Sequence, residues 1–69
     1  MKPWKRTRKG ASPGSYVILD RASGEIVGEV GQLDRVTWHW RGAGWWDFDD
    51  SFGQAVDRMY ARWLKSRAS

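Results

Sequence analysis

A chain of 69 residues with no cysteine holds one small domain at most, with no disulfide or thiolate-bound metal to staple it. Its net charge of +4 belongs to one end: residues 1–9 carry five Lys/Arg and no acid, and the rest carries seven (twelve less five) against eight Asp/Glu, a balance of −1. No apolar run approaches the roughly 20 residues of a membrane span, and no hydrophobic signal region follows the basic start, so the expectation is a cytoplasmic protein with no membrane partner.

Residues 1–14 hold both prolines and show no periodicity. Their like charges repel, and they offer little apolar surface to offset ordering, so they read as a disordered basic arm. Lys2, Lys5, Arg6, Arg8 and Lys9 suit phosphates, and Trp4 suits a nucleobase. A Trp4 folded back onto the domain is the plain alternative.

A single domain is expected over residues 15–66, followed by a tail at 67–69. Ser15-Tyr-Val-Ile-Leu-Asp-Arg21 is β-rich, and Ala22-Ser-Gly24 signals a turn. Glu25-Ile-Val-Gly-Glu-Val30 reads as a second strand, giving a hairpin in which Gly24 takes a positive φ. Gly31–Asp34 would connect to a third strand, Arg35–Arg41, which alternates strictly. Val36, Trp38 and Trp40 point one way, and Arg35, Thr37, His39 and Arg41 the other. Gly42-Ala-Gly44 is another turn, and Trp45–Phe48 is a fourth strand or an extended lead into a helix.

Ser51 followed by Gln54 fits a capping box, and Asp47, Asp49 and Asp50 suit the positive end of a helix dipole. Phe52, Ala55, Val56, Met59, Tyr60, Trp63 and Leu64 then recur at the spacing of one helical stripe. The helix should end near Lys65–Arg67. These elements predict an α+β fold of order β-β-β-α: a three- or four-stranded antiparallel sheet packed on one C-terminal amphipathic helix. Val17, Leu19, Ile26, Gly28 and Val30 would face inward, with Gly28 leaving room for an indole.

Two surfaces are candidates for function. The first joins the basic arm to the outward row Arg35, Thr37, His39 and Arg41, for nucleic acid. Against it, Glu25 and Glu29 would lie among those cations, and pairing with Arg35 and Arg41 would make the face an ordinary solvated one. The second is Trp45 and Trp46 with the helix cations Arg58 and Arg62, for a host protein. Adjacent residues of an extended segment cannot both face a core, so one of the two indoles should be displayed. His39 is the only histidine, no nucleophile elbow or phosphate loop is present, and so small a chain offers little concavity. The expectation is a non-enzyme with no metal or cofactor, monomeric or homodimeric, from a bacterium or its phage on compositional grounds.

The hairpin Tyr16–Val30, the Trp38-x-Trp40 strand and the helix with Phe52, Ala55-Val56 and Met59-Tyr60 together resemble small DNA-binding domains built of three strands and a C-terminal helix. Such domains occur at the N-termini of tyrosine recombinases and in AP2-type proteins. The resemblance covers roughly residues 16–64. It implies an exposed sheet face entering the major groove through Arg35, Thr37, His39 and Arg41, with the basic arm on the backbone.

Overall fold

The computed structural model describes residues 1–68; Ser69, the last of the expected tail, lies outside the described residues. Five strands, Trp4–Thr7 (β1), Ser15–Asp20 (β2), Ile26–Gln32 (β3), Trp38–Gly42 (β4) and Trp45–Asp49 (β5), precede the helix Phe52–Ala68 (α1). The strands form one antiparallel sheet in chain order, β1-β2-β3-β4-β5. The α+β class and the C-terminal helix are as expected, but three or four strands was an undercount. Trp45–Asp49 is a full strand, and the stretch expected as an unordered arm contributes β1, paired Trp4↔Asp20 through Thr7↔Val17.

The helix forms where its spacing predicts. Ser51 Oγ accepts the Gln54 N–H at 3.2 Å, the N-cap half of the capping box. Ala55, Val56, Met59 and Trp63 are buried against Ile18, Val27, Val30 and Trp40 of the sheet. Removing a side chain the size of Val56 or Met59 from water contributes about 1.5–3 kcal/mol, and the Ala55 methyl about 0.8 kcal/mol. Leu64, expected on the stripe, is 47% exposed, and the helix runs on to Ala68, taking in most of the expected tail.

Three inward assignments differ from expectation. On β2 the phase is reversed: Tyr16, Ile18 and Asp20 face the helix, because Tyr16 meets Phe52 edge-on at 5.5 Å and Asp20 accepts the Tyr60 hydroxyl at 2.7 Å. Val17 and Leu19 fall on the other side. On β3, Ile18 pairs with Gly28 and Leu19 with Ile26, so Val27 is the extra residue of a bulge. Val27 is thereby buried, and Ile26 turned out to 69% exposure. Gly28 makes room for the Arg41 carbonyl and, 2.8 Å from where its Cβ would sit, for Met59 Sδ, not for an indole.

The third difference is at the start of β4. Asp34 Oδ1 accepts the Val36 N–H at 2.9 Å, and the Leu33 N–H donates to the Thr37 carbonyl at 2.8 Å. That side-chain-closed turn takes Arg35, Val36 and Thr37 out of the sheet and leaves Val36 69% exposed. The strand therefore keeps only Trp38, His39, Trp40 and Arg41 of the alternating run, with Gly42 added.

Candidate nucleic-acid interface

β1 is an edge strand, and its cations straddle it. Lys5 and Thr7 lie opposite Leu19 and Val17, on the face away from the helix. Arg6 lies on the helix side, its guanidinium 5.1 Å from the centre of the Tyr16 ring and 5.6 Å from that of Phe52. Arg8 follows, 4.3 Å over Tyr16 and donating to its hydroxyl at 2.7 Å. Beneath them Phe52 gathers Trp4, Tyr16 and Trp38 edge-on at 6.0, 5.5 and 5.3 Å. The result is a half-buried aromatic cluster capped by two arginines.

What holds β1 in place is polar. Trp4 donates its indole N–H to Asp57 Oδ1 at 3.0 Å, and Lys2 Nζ reaches Asp57 Oδ2 at 2.9 Å. Together they hold the Asp57 carboxyl below its ordinary pKa, the Lys2 hydrogen bond more than the Trp4 one. The Arg21 backbone N–H donates to the Pro3 carbonyl at 2.8 Å, and Arg21 Nε to the Lys2 carbonyl at 2.9 Å. Lys2 and Trp4, both predicted to contact nucleic acid, are thus spent on the fold; Trp4 follows the folded-back alternative.

Ion pairs among the described residues take up Lys2, Arg41, Arg58 and Arg67. Lys5, Arg6, Arg8 and Lys9 are all exposed and none has an acidic partner there. Four unneutralised charges therefore lie within five residues along one edge of the sheet.

The open sheet face carries, beside the row Lys5, Leu19, Ile26, two rows that reach β5. One runs Thr7, Val17, Glu29, Arg41, Trp46; the other runs Ser15, Gly31, His39, Phe48. His39 and Arg41 stand where predicted, on the face away from the helix, while Arg35 and Thr37 sit in the turn before β4. The two acids expected to interrupt the face are both occupied. Glu29, its side chain 15% exposed, accepts from Arg41 at 2.7 Å and from the Ser12 N–H at 3.2 Å. Glu25 pairs with Arg67 at 2.6 Å, on the C-terminal turn of the helix.

The alternative partner residues separate. Trp45 lies over Gly42, whose Cβ would meet its ring, and packs on Trp40 at 5.8 Å. Trp46 is 69% exposed on the open face and meets Phe48, itself 42% exposed, at 5.5 Å. Arg58 donates to Asp49 Oδ1 at 2.8 Å and Asp47 Oδ2 at 3.2 Å. These bonds, that to Asp49 first, raise the Arg58 pKa. Asp49 also accepts the Trp40 indole N–H at 2.8 Å. Asp47 and Asp49 thus serve Arg58 and Trp40 and do not cap the helix, whose first turn holds no acid. Arg62 is exposed on α1.

Two features escaped sequence reasoning. Phe48 was read only as the end of a short strand, although its phase with Trp46 places both on one face. A 350 Å³ hollow over β4 and β5, lined by His39, Arg41, Trp46 and Phe48 among others, could not be foreseen without the strand pairing. No group of three His, Cys, Asp or Glu placed to hold a metal occurs among the described residues, and no helix there is long and apolar enough to cross a membrane. Comparison with family models, with curated proteins and with solved structures found no match.

Proposed function

We propose that this protein is a small, non-enzymatic nucleic-acid-binding module, with DNA the first ligand to test. The observation that carries the reading is the run Lys5, Arg6, Arg8 and Lys9: exposed, without acidic partners among the described residues, the first two on edge strand β1 and the other two in the segment that follows it. A phosphate backbone laid along that edge would meet cations on both sides of it. The release of condensed counterions then supplies affinity without sequence preference. The tie from β1 to Asp57 supports the same reading, because cations held in place lose less freedom on binding than those of a loose arm.

The test is the salt dependence of binding. With four phosphates neutralised, log K should fall against log salt with a slope of roughly −3 to −4. Changing Lys5, Arg6, Arg8 and Lys9 together to glutamine should flatten that slope nearly to zero. Absence of binding to DNA or RNA by the unaltered protein at about 50 mM salt would end the proposal.

A second reading, docking of a host protein, is favoured by the exposure of Trp46 beside Phe48. A large displayed indole is a common anchor of protein interfaces. Capture of a host protein that depends on Trp46, with no affinity for nucleic acid, would select it.

A further inference from the structure

We infer that the nucleic acid this chain takes is single-stranded, and that the open sheet face over β4 and β5 seats its unpaired bases on Trp46 and Phe48 beside Arg41 and His39. The inference rests on the nucleic-acid reading above and names the form of the ligand.

Four observations converge on that face. Trp46 and Phe48 are displayed, not packed, and stand edge to face at 5.5 Å, so each ring keeps a free surface. The hollow beside them is open and aromatic, which suits a flat ring better than a phosphate. Arg41 is adjacent to Trp46 in register, and His39 to Phe48, so each aromatic has a polar neighbour on its own row. His39 Nδ1 is sealed from water and unpartnered, leaving Nε2 as the ring nitrogen through which a base edge could be held.

Charge then selects among occupants. An acidic ligand is favoured because the pairs Arg41–Glu29 and Arg67–Glu25 cancel the acids nearest the face, while Lys5 projects on the same side from β1. Lys9 lines a neighbouring hollow with Val17, Glu29 and Arg41. Cations therefore stand at the β1 end and stacking rings at the β5 end of one face, four strand spacings apart, on the order of 19 Å. A single strand crossing the sheet would meet cations at the first and stack bases at the second, the two kinds of contact that single-strand binders combine. A duplex keeps its bases stacked inside and has nothing to offer Trp46 or Phe48.

The experiment compares a fluorescently labelled oligothymidine of about 15 nucleotides with a duplex of about 15 base pairs, both at about 50 mM salt, by anisotropy. The unaltered protein should prefer the single strand. Trp46→Ala should weaken that binding by roughly tenfold or more, the scale of losing one stacked base, and leave the duplex affinity unchanged. Trp46→Phe should restore most of the loss, and circular dichroism of both variants should match the parent. Equal affinity for the two ligands, or an oligothymidine affinity indifferent to Trp46→Ala, would overturn the inference while leaving the salt-dependent reading intact. Failure of the unaltered protein to bind either ligand would overturn both.

Discussion

The indole N–H of Trp4 donates to the carboxylate of Asp57, 53 positions away in the chain, at 3.0 Å, and this bond joins the first strand to the helix. It turns a basic tail into the edge of a sheet. Asp57→Ala should release β1 while leaving the rest folded. Because the carboxylate is half exposed and screened, the stability lost should be only about 1 kcal/mol. Amide exchange at residues 5–7 should nonetheless rise sharply, while that of β3 and β4 holds. Unchanged exchange at residues 5–7 would show that β1 is held by its ladder with β2 alone.

Acid should destabilise the protein through particular carboxylates. Asp20 is held below its ordinary pKa by the Tyr60 hydroxyl first and Ser23 second, Asp34 by the Val36 amide, and Asp57 by Lys2. A group whose pKa falls on folding adds stability that is full above its unfolded value and is lost as pH drops through the folded one. The melting temperature should therefore be level between about pH 5 and 7 and fall below about pH 4, near the ordinary aspartate value. Asp20→Asn should lower the plateau and make the fall shallower. Tyr60 is shifted the opposite way, upward, by the same bond. Its contribution should be full below about pH 10 and be lost as pH rises from there through its raised folded pKa.

Two glycines should answer alanine with opposite signs. A Cβ at Gly28 would meet the Arg41 carbonyl and Met59 Sδ, and backbone cannot yield as a side chain can. Gly28→Ala should cost about 1–3 kcal/mol, with a melting temperature lower by about 4–8 °C per kcal/mol in a domain of this size. Gly53, in the first turn of α1, has open space around its missing Cβ. Gly53→Ala should stabilise by about 0.5–1 kcal/mol, through the entropy of the unfolded chain and helix propensity.

Two tryptophans on neighbouring strands should differ as much. Trp40 is 5% exposed, donates to Asp49 at 2.8 Å and belongs to the main core. Trp40→Ala should cost about 3–5 kcal/mol, enough to unfold a domain of this size. Trp46→Ala should change stability by no more than about 0.5 kcal/mol. Chemical denaturation of both variants measures the contrast, and a large loss at Trp46 would mean that its ring serves the fold.

The helix was legible because only one phase of its residues is apolar: Ala55, Val56, Met59 and Trp63 are buried where the period puts them. β2 was legible as a strand but not in its orientation. Tyr16-Val-Ile-Leu19 is apolar in both phases, and the choice fell to two distant partners, Phe52 for Tyr16 and Tyr60 for Asp20. β1 left no local signal at all, since its anchor is Asp57 and its charges argue for disorder. The turn at 33–37 was hidden by an alternation that ran unbroken through it. Asp34, whose side chain closes that turn, was the one residue that could have given it away. On the candidate interface, strand alternation said that one of Trp45 and Trp46 is displayed, but that it is Trp46, and that Phe48 and His39 share its face, needed the register of β4 with β5.

Each strand of the sheet pairs with the strand before it in the chain, and nothing crosses over. Each step of sheet assembly therefore closes only a short loop. The largest closure needed is the one that brings β1 to the helix through Trp4 and Asp57. Chains whose contacts are mostly between sequence neighbours reach their transition state with little loop entropy to overcome, and fold fast for their class. The core gathers Ile18 of β2 with Val30, Trp40 and Met59, while β1, with the cations it carries, is joined to it by its ladder with β2 and the ties to Asp57 and Arg21.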